Sequence, residues 1–162
     1  MEKLNSLVKE YTIQVGKGDI RKAYKGILKF MSDLGAFLKQ RHPDCAVSAF
    51  YPGYMDMSYF AFTPPELKDK KLKIALVYLH GEGRFEAWLS GSNRNVQAEY
   101  IRLLRRRDIG RHRLSKPAAG VDSIIEHILL EQPDFDHPLE LREQLENGLM
   151  LFIRDITIML GA

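Results

Sequence analysis

Apolar residues recur every three or four positions at both ends of this chain and every second position through its middle. Such periods mark helices and half-covered strands respectively. Residues 3–15 place Leu4, Leu7, Val8 and Tyr11 on one helical stripe. Lys17-Gly18-Asp19 breaks the pattern, and Asp19 is the candidate N-cap of a second helix running to about Gln40. Its apolar set, from Ile20 through Tyr24, Ile27, Met31 and Leu34 to Leu38, forms one broad stripe, with lysines and arginines elsewhere on the circumference. His42-Pro43-Asp44 ends it, because proline disfavours helix in the residue before it.

Strand-like runs follow. Residues 45–51 (CAVSAFY) read as the first strand and 54–63 (YMDMSYFAFT) as the second, divided by the turn signal Pro52-Gly53. Pro64-Pro65-Glu66 and the lysines after it read as a solvated connection. Residues 72–80 (LKIALVYLH) and 84–90 (RFEAWLS) are the third and fourth, joined by a Gly81-Glu82-Gly83 link short enough to force an antiparallel hairpin. Ser92 or Asn93 then caps a helix whose buried stripe is Val96, Tyr100, Leu103 and Leu104, ending near Asp108-Ile109-Gly110. A basic loop follows over 111–122. Residues 123–131 (SIIEHILLE) fit a short helix or a fifth strand; the strand is preferred, because Gln132-Pro133 leaves little length for a helix. Asp136-His137-Pro138 opens a last helix with Leu141, Leu145, Leu149, Phe152, Ile156 and Leu160 on its apolar face. The order predicts a single α+β domain over 1–162. Its antiparallel sheet has about five strands, a four-strand meander plus one later strand. Two N-terminal helices, a middle helix and a C-terminal helix pack on that sheet.

The hairpin concentrates the candidate chemistry. A three-residue turn pairs His80 with Arg84, and side chains alternate from there. Ala75, Val77, Leu79, Phe85, Ala87 and Leu89 then share a wholly apolar face. The reverse face carries Ile74, Leu76, Tyr78, His80, Arg84, Glu86, Trp88 and Ser90. A solvated face has no need of Trp and Ile, and a closed core makes an unpaired Glu86 cost several kcal/mol, roughly. A partly covered face or groove resolves both objections. Which side of the second strand joins that face stays open. If Asp56 falls on it, Asp56, Tyr78, His80, Arg84, Glu86 and Trp88 line one surface. The next helix then presents Asn93, Arg94 and Asn95 at its positive end.

Composition narrows the classes. The 162 residues are 45% apolar and 28% charged, an ordinary globular balance, and the formal charge of +3 does not by itself imply a nucleic-acid partner. The distribution says more: Arg102, Arg105, Arg106, Arg111 and Arg113 cluster on the middle helix and its following loop, a candidate polyanion-binding surface. One cysteine, Cys45, rules out an intramolecular disulfide and cysteine-based zinc patterns and fits a reducing compartment. No signal-peptide core and no apolar run of membrane-spanning length occur, so the cytoplasm is expected and a membrane partner is not. The five histidines have no ligand spacing, and neither a phosphate-binding glycine loop nor a nucleophile elbow is present. No metal and no cofactor are therefore expected, and no motif fixes a reaction. Asp56 and Glu86 have the residue types of a metal-dependent nuclease. Trp88, however, stands where restriction-type nucleases place a lysine two residues after the acid.

The runs GYMDMSYFAFTP, LKIALVYLH, RFEAWLSGSNRNVQAEY, GVDSIIEHILLEQPDFDHP and KEYTIQVGKGDIRKAY resemble a family of small prokaryotic proteins known only as a domain of unknown function. The resemblance covers nearly the whole chain and implies no activity, cofactor or catalytic residue. The layout is also similar to accessory domains found beside nucleases. The function expected is a ligand-binding or interaction module using the mixed face, for a small ligand or a protein. The alternative is a nucleic-acid-associated accessory of a defence or restriction system, acting through the arginines. A hydrolase using Asp56 and Glu86 ranks third.

Overall fold

Helical and strand periods become elements in the expected order. The computed structural model describes residues 3–161. Helices α1 (Leu4–Gly16) and α2 (Asp19–Arg41) lead into strands β1 (Ala46–Val47) and β2 (Met57–Thr63). A single helical turn, α3 (Pro65–Lys68), precedes β3 (Leu72–Leu79) and β4 (Arg84–Gly91). Helix α4 (Arg94–Arg105), β5 (Ser123–Leu130) and α5 (Pro138–Met159) complete the chain. The strands form one antiparallel sheet in the order β1-β2-β3-β4-β5. The α+β expectation, a meander with one later strand and flanking helices, therefore holds, and residues 123–130 are strand.

Several local readings differ. The first strand shrinks to Ala46–Val47: the Ser48 N–H still donates to the Ala61 carbonyl at 2.9 Å, but the Ala61 N–H turns to the Ser48 hydroxyl, which ends the ladder, and Tyr51 adds one isolated bridge to Tyr59. Gly18, not Asp19, is the N-cap of α2, which leaves Asp19 in the first helical turn, where its charge favours the positive end of the helix. The link read as solvated contains α3, whose Leu67 is buried, with proline tolerated at its start. In α4 the buried set is Val96, Gln97, Ile101 and Leu104; Tyr100 and Leu103 are only half-buried.

Helices α2 and α5 cover one face of the sheet. Met31, Leu34 and Leu38 of α2 and Leu141, Leu145, Leu149, Phe152 and Ile156 of α5 are buried with Phe60, Phe62, Ile74, Leu76, Phe85, Ala87 and Leu89. Phe30 of α2 contacts Phe85 (ring centroids 6.0 Å), and Phe152 of α5 stacks on His127 (5.3 Å). Each fully buried large side chain contributes about 1.5–3 kcal/mol. Gly91 is required where β4 turns into α4: a Cβ there would lie 2.7 Å from the Gln97 backbone nitrogen. Asn93 then caps α4, its side chain accepting the Val96 N–H at 2.9 Å.

Helix α1 is the exception. None of its residues is buried, and Leu4, Leu7, Val8 and Tyr11 remain exposed along its stripe. An isolated helix of this length is marginal in water. In hydrogen exchange, the α1 amides of the free protein should exchange at least about a hundredfold faster than those of β3 and β4. Equal protection would show that α1 is packed as firmly as the sheet.

Candidate functional site

The β3–β4 register fixes the faces of the hairpin candidates. Leu79 pairs with Arg84, Tyr78 with Phe85, Val77 with Glu86 and Ala75 with Trp88. The loop is thus four residues, His80 to Gly83, closed by a Gly83 N–H bond to the Leu79 carbonyl at 2.8 Å, with Gly83 at φ +67°. The three-residue turn is corrected by one residue, which reverses the faces of β3 but not of β4. Tyr78 and His80 leave the surface that carries Trp88. Ala75 and Val77 take their place. On β2 the strand register assigns Met57, Tyr59 and Ala61 to that same face, and on β5 it assigns Glu126.

Alternation along β4 puts Arg84, Glu86 and Trp88 side by side. Glu86 is 4% exposed, and both its oxygens are used. Oε2 accepts the Arg84 Nε–H at 2.7 Å, and Oε1 accepts the Trp88 Nε1–H at 2.8 Å. The bond to Glu86 raises the Arg84 pKa further. The indole is only half-buried, and its ring plane is set by that carboxylate. Over it lies a groove of about 210 Å³ lined by residues of β2, β3, β4 and β5 and by Gly120–Ser123. Glu126, paired with Trp88, sits on the rim. Partial desolvation and the nearby Glu86 raise its pKa, against a lowering by Arg84.

The remaining candidates separate. Tyr78 lies on the helix side, 7% exposed, against Phe85 and Phe135. His80 sits at the helix-side edge. Its Nε2 meets the Ser58 hydroxyl at 2.8 Å, and its ring stands 5.5 Å from Tyr24. The Ser58 hydroxyl donates to the Pro52 carbonyl, so the His80 ring nitrogen is the donor in their bond. Asp56 lies in the turn before β2, where its Oδ1 accepts the Tyr54 N–H at 2.9 Å; that bond, more than His80, lowers its pKa. Ser58, His80 and Asp56 are therefore neighbours without the geometry of a nucleophilic triad: the serine is fully buried and its proton points away from the histidine. Asp56 and Glu86 are not brought together. Among the described residues, no group of three or more His, Cys, Asp or Glu is placed to hold a metal ion.

At the start of α4, Asn93 is occupied as cap, the Arg94 guanidinium donates to the Ala118 carbonyl at 3.2 Å, and Asn95 is exposed. Arg102, Arg105, Arg106, Arg111 and Arg113 are all exposed. Of these only Arg111 forms an ion pair among the described residues, at 3.7 Å from Asp155. The segment that follows α4 is fastened to α5. The His112 Nε2 meets Asp155 at 3.0 Å, and the Arg107 Nη1 donates to the Met159 carbonyl. Sequence reasoning missed the groove residues Tyr59 and Glu126, although alternation along 57–63 and 123–130 places each on one of two faces. It also missed the His112–Asp155 contact, which joins residues far apart in the chain and has no local signal.

The chain belongs to the family described as Domain of unknown function (DUF7000). That family model matches residues 4–160, which bears out the resemblance read in the sequence. Neither a curated protein nor a solved structure matches it. No helix among the described residues is long and apolar enough to cross a membrane.

Burial lowers the pKa of two histidines in this DUF7000 chain. His127 is pushed below its ordinary 6.5 by burial first, then by His112 and Arg111, with Asp155 and Glu86 opposing; burial likewise lowers His80. The unfolded chain takes up these protons first, so stability present above about pH 6.5 is lost as pH falls through the lower folded values. Asp155, lowered mainly by its bond from His112, contributes a second loss below its ordinary 3.8. The urea midpoint should therefore drop between pH 7.5 and 5.5, and His127→Gln should flatten that drop. A midpoint constant over this range would contradict the assignment.

Proposed function

We propose that this protein is a ligand-binding module whose site is the helix-free face of the sheet, centred on Trp88. The observation that carries this reading is a partly exposed indole, held by a buried carboxylate, lining a groove. Binding sites of this kind combine apolar area with a few convergent polar groups. Here Tyr59 and Trp88, above the buried Ala75 and Val77, supply the first, and Lys73, Ser90 and Glu126 the second. Holding the indole before a ligand arrives lowers the ordering cost of association. No reaction is assigned: Glu86 is committed to Arg84 and Trp88, and Asp56 lies elsewhere.

A small-fragment screen followed by amide NMR tests this reading. The single indole N–H signal, from Trp88, should shift together with Val77 and Ala75. Glu86→Ala should weaken any such binding and cost about 1–3 kcal/mol of stability by leaving two donors without their acceptor. A screen in which no fragment moves the indole signal would overturn the reading.

A second reading, binding of nucleic acid, is favoured by one specific feature. Arg102, Arg105, Arg106 and Arg113 are exposed and make no ion pair among the described residues. Phosphate contacts need such uncommitted cations. On this reading a duplex oligonucleotide is retarded at low salt, and affinity falls with a log–log slope of roughly −0.9 per phosphate contact. Arg105→Glu with Arg106→Glu should abolish the shift; absence of any shift at low salt would remove this reading.

A further inference from the structure

The groove also specifies a ligand chemistry, a step that rests on reading the helix-free face as a binding site. Tyr59 on β2 and Trp88 on β4 stand on either side of β3, one row apart, with Ala75 and Val77 between them. Strands lie about 4.8 Å apart, so the two aromatic side chains are roughly 9.5–12 Å apart at their bases. Favourable aromatic pairs place ring centroids about 4.5–7 Å apart. That base-to-base spacing matches one flat ring between the two aromatics, above the buried Ala75 and Val77.

The lining carries one cation, Lys73, and two carboxylates, Asp122 and Glu126. Glu126 is exposed at the rim and makes no ion pair among the described residues; desolvation and then the neighbouring Glu86 raise its pKa, with Arg84 opposing. Arg84, the nearest guanidinium, is already bound to Glu86. Ser90 is 5% exposed and lines the groove, and its hydroxyl has no partner among the described residues. Among the described residues the buried side-chain atom without a partner is the His112 Nδ1, so the Ser90 oxygen is not sealed from solvent.

We propose that this slot binds a planar aromatic or heteroaromatic ring bearing a cationic or amino nitrogen, the ring between Tyr59 and Trp88 and the nitrogen donating to Glu126. A cation near the indole face gains further attraction from the ring, and a positive group beside Glu126 relieves its repulsion with Glu86. The Ser90 hydroxyl supplies a second hydrogen bond that fixes the ring in its plane.

Trp88 is the only tryptophan, so its emission reports the site directly. Three probes separate the possibilities: benzamidine, an aromatic cation; cyclohexanecarboxamidine, its aliphatic counterpart; and benzoate, an aromatic anion. Benzamidine should change the emission saturably, with an affinity at least about tenfold above the other two. Glu126→Gln should reduce benzamidine affinity by about tenfold without weakening benzoate binding or lowering the thermal unfolding midpoint. If benzoate or the aliphatic amidine binds as tightly, or Glu126→Gln changes nothing, the groove remains a binding site and this ligand class is overturned. If none of the probes and no screened fragment perturbs Trp88, the binding-site reading fails and this inference fails with it.

Discussion

Leu79 pairs with Arg84, and that pairing sets the parity of every side chain in the two central strands. With it in place, Ile74, Leu76 and Tyr78 join Phe85, Ala87 and Leu89 against α2 and α5. Slipping β3 by one residue would exchange three large buried side chains for Ala75, Val77 and Leu79. Each large side chain contributes about 1.5–3 kcal/mol, so the slipped register loses several kcal/mol of burial. The bulky rings around Tyr78, with Phe85 at 4.9 Å and Phe135 at 5.7 Å, make the preference definite.

The same parity places Glu86 on the opposite face, where its burial requires partners. Arg84 and Trp88 supply them two residues away on either side, a spacing that only a strand brings onto one face. Structural necessity and candidate function therefore coincide in one carboxylate. It neutralises its own burial by holding a guanidinium and an indole, and the held indole becomes a rigid wall of the groove. Ala75 and Val77 lie buried beneath that groove.

Stability is unevenly distributed around this centre. Helix α5 buries a continuous stripe and β3 is buried along most of its length, whereas α1 buries nothing. The basic loop lies between these extremes, held by Gln97 bonds to the Val121 and Ser123 carbonyls at one end and by the His112–Asp155 contact at the other. Its arginines are exposed on a segment with few buried apolar contacts. Trp88, in contrast, sits on the most protected part of the fold. The first arrangement suits adaptable electrostatic contact, and the second suits selective recognition of a shaped ligand.

Periodicity in the sequence determined the element order, the α+β class, the identity of β5 as a strand, and which β4 residues share a face. These are local properties: alternation, caps and proline positions are readable without knowing what packs where. Tertiary structure alone decided the hairpin register, because Gly81-Glu82-Gly83 is compatible with either a three- or a four-residue loop and only core packing selects between them. It also decided that Tyr59 and Glu126, not Asp56, flank Trp88, since the long β2–β3 and α4–β5 connections leave register free. The exposure of α1 was likewise hidden. An amphipathic stripe shows that a helix can bury a face, but only its neighbours determine whether it does.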